Sequence, residues 1–409
     1  MSTLFENVHD KDGLISLCVG APDDLLLEEC RKLIQKATEA LHASGKLSSF
    51  QYGAKLGDPV YRTELAKFLT DQYGSKVESD SLIANAGASQ GLQVLISTLF
   101  QKDDFAFVED PTYFLSIKML KEDLNMKVIG VPTDAGGIIV EELEKLLVEH
   151  SSKFRAPTDK KPFSSLVYLV PTFNNPKGGC LSAERSKKLV TVLRKHNALG
   201  VCDDVYNSLP YLDDGPPFVT KAPPRLFAYD VKSDADYKGN VVSNGTFSKL
   251  LGPGLRIGWL ECPTSVVKCF AENCSYLQSG GGFNHYMSCV LGTALQLGLV
   301  SKHVIYARQV YAGRMKALCD AIDELVPQAK YTRPRGGYFV WIVLPIEIDS
   351  RKMAKLCEEK YKIKFWPGPF CSNDGNFVNY VRFSCAWHRE EILREAVKRF
   401  AEGLKESLQ

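Results

Sequence analysis

The chain has 409 residues, of which 45% are hydrophobic, 24% charged and 10% aromatic. This is an ordinary globular composition, and it excludes a collagen, a coiled coil and a disordered chain. Fifty Lys and Arg against 48 Asp and Glu leave a net charge of +2, so there is no electrostatic footprint for nucleic acid or an anionic membrane surface.

From about residue 80 to 260, short apolar runs alternate with helical patterns. Ser81–Ala86 reads as a strand and Ser89–Phe100 as a helix. Phe105–Glu109 is a strand, followed by a helical stretch near 112–122. Met126–Val131 is a strand and Glu141–His150 a helix. Thr158–Pro162 reads as an exposed linker. Leu166–Val170 is strand-like, Ser182–His196 a charged amphipathic helix and Leu199–Cys202 the next strand. Gly215–Pro224 is a Pro-rich loop. Val241–Asn244 and Ile257–Leu260 close the series. Such alternation predicts an α/β fold, with a mostly parallel sheet covered on both faces. Ligands in these sheets sit beyond the carboxyl ends of the strands.

After about residue 290 the pattern changes. A long helix runs from about His303 to Leu325, then a strand over Tyr338–Val343 and a helix over Arg351–Tyr361. A strand near Asn379–Ser384 and a final helix from Arg389 complete a smaller α+β unit. There is no internal repeat. Met1–Asn7 lacks the basic and apolar regions of a signal peptide, and no run of roughly 18 uncharged apolar residues suggests a membrane span. The twelve cysteines show no C-x-x-C spacing, and the seven histidines no ligand spacing. Buried reduced thiols, no bound metal, a structural His285 and a cytoplasmic location are therefore expected.

The chemistry concentrates in Val242-Ser-Asn-Gly-Thr246-Phe-Ser248-Lys249, followed by Gly252-Pro-Gly254-Leu-Arg256-Ile-Gly258. An apolar strand runs into a turn of small hydroxyl residues and a lysine. Hydroxyls and turn N–H groups can cradle a phosphate, and Arg256 offers a permanently charged fork. A lysine beside a phosphate site can bind an aldehyde cofactor covalently.

This segment resembles the lysine motif of the class I/II aminotransferases, the fold type I enzymes that use pyridoxal 5'-phosphate (PLP). The resemblance runs from about Leu14 to Arg399, nearest the kynurenine and 2-aminoadipate aminotransferase branch. It implies a three-layer large domain over residues 46–289. Residues 1–45 and 290–409 would form the smaller domain. It implies that Lys249 carries PLP and that Thr246, Ser248 and Arg256 bind its phosphate.

Further motifs follow in family order. In Val201-Cys-Asp203-Asp204-Val-Tyr206, the resemblance gives Asp203 to the pyridine nitrogen and Tyr206 to the phenolic oxygen. The charge pair would lower the acid's pKa and keep the ring cationic. Asp204 reads as a helix cap. In Pro171-Thr-Phe-Asn174-Asn175-Pro176, Asn175 would donate to the same phenolic oxygen. Asn85-Ala-Gly87-Ala88-Ser89 resembles the phosphate turn, with Ala88 in place of a hydroxyl residue, so contact there is through backbone. Tyr113, in Glu109-Asp-Pro111-Thr-Tyr113, would stack on the ring. Arg382 lies inside the strand Asn379–Ser384, where burial is costly unless it meets an anion. The matching family arginine binds the substrate α-carboxylate. Gly336–Trp341 and Trp366–Phe370 resemble small-domain motifs. Gly20 would lie over the substrate. Tyr52 would reach the phosphate of a neighbouring subunit, which implies a homodimer with shared active sites.

The expected activity is transfer of an amino group from an L-amino acid to a 2-oxo acid such as 2-oxoglutarate. Lys249, Asp203 and Tyr113 would form the catalytic set. The nearest branch suggests a 2-aminoadipate or aromatic donor. The alternative is another PLP reaction on the same motifs, C–S β-elimination or aminocyclopropane-carboxylate synthesis. Motifs beginning near residue 17 argue against a DNA-binding regulator built on this fold.

Overall fold

Runs such as Phe105–Val108 are apolar at successive positions, so both faces of the strand need cover. The computed structural model describes residues 13–211 and 221–409. Met1–Asn7 and most of the Gly215–Pro224 loop lie outside the described residues. Strand β1 (Ile15–Ser16) is followed by β2 (Leu82–Asn85), β3 (Phe105–Asp110), β4 (Lys127–Asp134) and β5 (Gly137–Ile138). Next come β6 (Ser165–Leu169), β7 (Ala198–Asp203), β8 (Val241–Thr246) and β9 (Gly258–Glu261).

Strands β2 to β9 form one eight-stranded sheet in the order β2-β9-β8-β7-β6-β3-β4-β5. The run β8-β7-β6-β3-β4 is parallel throughout. The last strand of the series, β9, is antiparallel to both neighbours. Successive residues of β3 divide between two cores. Ala106 and Val108 pack with helices Ala88–Leu99 and Thr264–Asn273. Phe105 and Phe107 pack with helices Val140–His150 and Ala183–Lys195. The result is the expected three-layer α/β arrangement.

Strands β10 (Phe339–Val343), β11 (Ile363–Lys364), β12 (Trp366–Pro367) and β13 (Tyr380–Ser384) follow. A second, antiparallel sheet has the order β10-β13-β12, and β1 pairs with β11 in parallel. Helices Leu299–Leu325 and Glu390–Ser407 share its core, with Phe383 and Phe400 at the centre.

Several helices were not anticipated. Asp24–Ala43 is the longest of them, with Asp23 accepting from the Leu26 N–H at 3.3 Å. Its buried stripe of Leu26, Cys30, Leu33, Ala37 and Leu41 has three- and four-residue spacing. Pro59–Tyr73 carries Asp58 as cap, proline at its first position and left-handed Gly74 at its end. The helices expected near 112–122 and 351–361 finish in π turns, Met119–Asp123 and Cys357–Tyr361.

A buried ion pair ties β9 to the loop before β8. Arg225 Nε donates to Glu261 Oε2 at 2.6 Å, and the guanidinium lies 4.4 Å from the Tyr73 ring centroid. Both side chains are 2% exposed. Arg225→Ala leaves a buried carboxylate unpaired and should cost about 3–5 kcal/mol in urea unfolding. A midpoint unchanged from wild type would contradict this.

Candidate active site

The carboxyl ends of the parallel strands open onto a cavity of about 1200 Å³. Strand β8 delivers the lysine. Beyond its end the Ser248 N–H donates to Thr246 Oγ1 at 3.1 Å, and the two hydroxyls share a hydrogen bond at 2.9 Å. This tight turn projects Lys249 into the cavity, where Nζ donates to the Gly20 carbonyl at 2.6 Å. Burial pushes the Lys249 amine down to about 8, with Asp203 opposing and Arg382 and Arg256 adding to the fall. A Cβ on Gly20 would sit 2.7 Å from Phe339 Cζ, so a side chain there would have to displace that ring.

Asp203 ends β7 on the same cavity wall. Tyr168 OH, from β6, donates to its Oδ2 at 2.7 Å. Burial pushes the carboxyl up to about 6, against the pull of Tyr168; Asp204 raises it and Lys249 lowers it. The lowered acid expected from a charge pair thus needs a cationic partner to offset burial. Asp204 caps no helix, since none begins there. Instead it is buried and accepts from Ser243 Oγ. Strand alternation sends neighbouring acids to opposite faces, which is the physical reason for the correction.

Gly87, with φ +94°, starts the helix Ala88–Leu99, and no side chain caps that helix. Its first-turn N–H groups, at Ala88 and Ser89, therefore lack intrahelical acceptors. Ala88 and Ser89 line the cavity together with Thr246, Ser248 and Arg256. Gly87 sits behind Arg256, and a Cβ there would lie 2.7 Å from Nη2. Arg256 Nη2 donates to the Ala86 carbonyl at 3.1 Å and Nη1 to Pro253 at 2.8 Å. Arg256 is itself left-handed, φ +49°, and Asn284 Nδ2 holds the preceding Leu255 carbonyl at 2.9 Å. Hydroxyls, a guanidinium and helix N–H groups form a donor set that fits the phosphate of PLP. A half-buried carboxyl, Asp203, and a half-buried amine, Lys249, on the same cavity fit the ring and aldehyde.

Arg382 sits at the middle of β13, opposite Trp341 of β10 and Trp366 of β12. It is 2% exposed. Nη1 donates to Asn175 Oδ1 at 2.9 Å and Nη2 to the Cys18 carbonyl at 2.8 Å. The Phe339 ring centroid lies 4.1 Å away. Among the described residues it has no acidic partner within ion-pair distance, and its buried Nε has no acceptor. A buried cation so placed suits a carboxylate ligand. Tyr113, Asn175 and Tyr206 line the same cavity. Tyr52 does not; it is 80% exposed.

Residues missed from the sequence include Tyr168, Cys18 and Phe114, all lining the cavity, while Phe339 and Trp366 line it from the two small-domain motifs singled out above. Tyr168 was legible as a strand position, but its partner lies 35 residues away in sequence. Its pairing depends on β6 lying beside β7. The fold also gathers Asp58, His285 and Cys289, whose ligand-capable atoms lie within 4.8 Å of one another. Lys46 Nζ already donates to Asp58 Oδ2 there at 2.8 Å. All twelve cysteines are unpaired, and ten are buried.

Glu109 supports the Asn175 turn from below. Its Oε2 accepts from the Val170 N–H at 2.7 Å and from Asn174 Nδ2 at 3.0 Å. Burial pushes this carboxyl up from 4.5 to about 7. The raised folded-state value means that its contribution to stability is complete below about pH 4.5 and is lost as pH rises through 7. Glu109→Gln, which stays neutral, should therefore gain on wild type across that window. Urea midpoints measured at several pH values check this; a pH-independent difference would contradict it.

Known proteins share this architecture. The family described as "Aminotransferase class I and II" matches residues 12–400. Aromatic-amino-acid aminotransferase 1 of Thermococcus litoralis is 28% identical over 98% of this chain and 90% of its own length. The 2-aminoadipate transaminase of Thermus thermophilus is 26% identical over 97% of this chain and 91% of its own. The crystal structure of kynurenine aminotransferase from Pyrococcus horikoshii superposes with a TM-score of 0.82 at 28% identity, covering 97% of this chain and 92% of that one. This chain belongs to the class I and II aminotransferases and is a PLP-dependent transaminase.

Proposed function

We propose that the amino donor is an L-amino acid with an aromatic or 2-aminoadipate side chain, and that the acceptor is a 2-oxo acid such as 2-oxoglutarate. One observation carries the reading: a half-buried amine, Lys249, shares its cavity with a buried arginine, Arg382, that has no acidic partner among the described residues. The donor class is supported by an aromatic wall in which Phe114 and Trp366 have ring centroids 4.6 Å apart. It is also supported by the names of the relatives.

Bound PLP supplies an aldehyde that takes up the amino group and a ring that accepts electrons. The residues divide the remaining work. Thr246, Ser248, Arg256 and the N–H groups of Ala88 and Ser89 would hold the phosphate. Asp203 would hold the pyridine nitrogen, its carboxylate kept ionised with help from Tyr168. Tyr206 and Asn175 would hold the phenolic oxygen, and Tyr113 would cover the ring. Arg382 binds the α-carboxylate and so sets which way Cα faces. Lys249 Nζ, lowered to about 8, takes the proton from Cα and later returns one. Gly20, whose carbonyl holds that amine, leaves the approach open.

We include a two-fold dimer in this reading. Leu47, Phe50 and Tyr52 are 81%, 68% and 80% exposed on one short segment, which favours cover by a second copy. Tyr52 would then reach the partner's phosphate site. Division of the chain at residues 46 and 289, and a reducing cytoplasmic location suited to unpaired cysteines, complete the proposal.

Borohydride reduction followed by peptide mapping should place the pyridoxyl mass on Lys249. Lys249→Ala should fold normally and lose at least about 100-fold in amino transfer. Near-wild-type turnover would refute its role. Arg382→Ala should raise the KM for the amino acid about 10–100-fold, from loss of a charge-assisted contact. An unchanged KM would refute the carboxylate assignment.

A further inference from the structure

Arg382 answers only the carboxylate that every amino acid carries. The wall beside it is built from a segment with strict alternation. Ile363 and Phe365 enter the core of the smaller sheet, whereas Lys362, Lys364 and Trp366 line the cavity. The paired segment alternates likewise: Ile15 and Leu17 enter the core, and Ser16 and Cys18 line the cavity. Ser16 lies in register with Lys364, and Trp366 in register with Arg382. Lys364 is thus one two-residue step, roughly 6.6 Å, along the wall from the position facing Arg382. That step suits the span of a five-carbon dicarboxylate.

The charges agree. Burial pushes the Cys18 thiol up to about 11, with Arg382 and Lys364 both pulling against it and Glu358 adding to the rise, and all four residues line the cavity. Lys249 and Arg256 serve the other end of the cavity. Lys364 Nζ donates to Glu358 Oε1 at 2.9 Å, with side chains 46% and 43% exposed. A pair so exposed holds weakly, and another carboxylate can replace Glu358.

We propose that Lys364 binds the distal carboxylate of a dicarboxylic substrate, and that Glu358 is its partner when the side chain in the cavity is uncharged. This rests on Arg382 holding the α-carboxylate. A transaminase must take two substrates in turn in one cavity. Exchange at Lys364 lets the same wall receive an aromatic side chain against Trp366 and a carboxylate beside it.

The test uses the PLP-loaded enzyme and two unreactive probes, pentanedioate and pentanoate, titrated by calorimetry. Wild type should bind pentanedioate more tightly. Lys364→Met should reduce that preference about 10-fold, and Lys364→Arg should restore most of it. Glu358→Gln, which frees the lysine, should increase it. The ratio of KM for 2-oxoglutarate to KM for 2-oxo-4-methylpentanoate should rise by a similar factor in Lys364→Met. A preference unaltered in Lys364→Met would overturn the subsite. Binding that depends on Lys364, in an enzyme that transfers no amino group, would support the subsite and refute the proposed function instead.

Discussion

Everything at this site depends on parallel strands of one sheet ending at the same level. Strands β8, β7, β6 and β3 lie side by side, and each hands a functional group to the space beyond its carboxyl end. Strand β8 leads to Thr246 and Lys249, β7 ends at Asp203, β6 leads to Asn175, and β3 leads to Tyr113. Strands buried on both faces cannot slide without moving apolar side chains out of two cores. The groups are thus held by register, not by loops alone.

Burial then sets the electrostatics. Lys249 is pushed down and Asp203 up, each toward neutrality, because a charge in the cavity is poorly solvated. Local hydrogen bonds oppose this drift: Tyr168 serves Asp203, and the Gly20 carbonyl accepts from Lys249. Arg382 cannot give up its proton, so it remains a buried cation under an aromatic ring. An anion-binding cavity needs few such groups, which is consistent with a chain whose net charge is only +2.

The β1–β11 pair and the three-stranded sheet close the site from the other side. Their contribution reads as period-two alternation at Ser16, Cys18, Lys364 and Trp366, with the intervening residues packed in the core. Two short strands from opposite ends of the chain are needed for this wall. Neither Ile15–Ser16 nor Ile363–Lys364 is long enough to announce itself as a strand.

Local chemistry made much of this protein legible in its sequence. The apolar runs specified the α/β class, because their length and spacing admit little else. The Thr246–Arg256 segment pointed to a phosphate beside a lysine, because hydroxyls, glycines and an arginine rarely cluster for another purpose. The motif picked Asp203 of the two adjacent acids, but tertiary structure alone decided what Asp204 does, turning it to Ser243 instead of a helix cap. It alone paired Tyr168 with Asp203 and Cys18 with Arg382, and it left Tyr52 on the surface. Those outcomes depend on strand register and on contacts between residues up to 364 positions apart, for which no local pattern carries a signal.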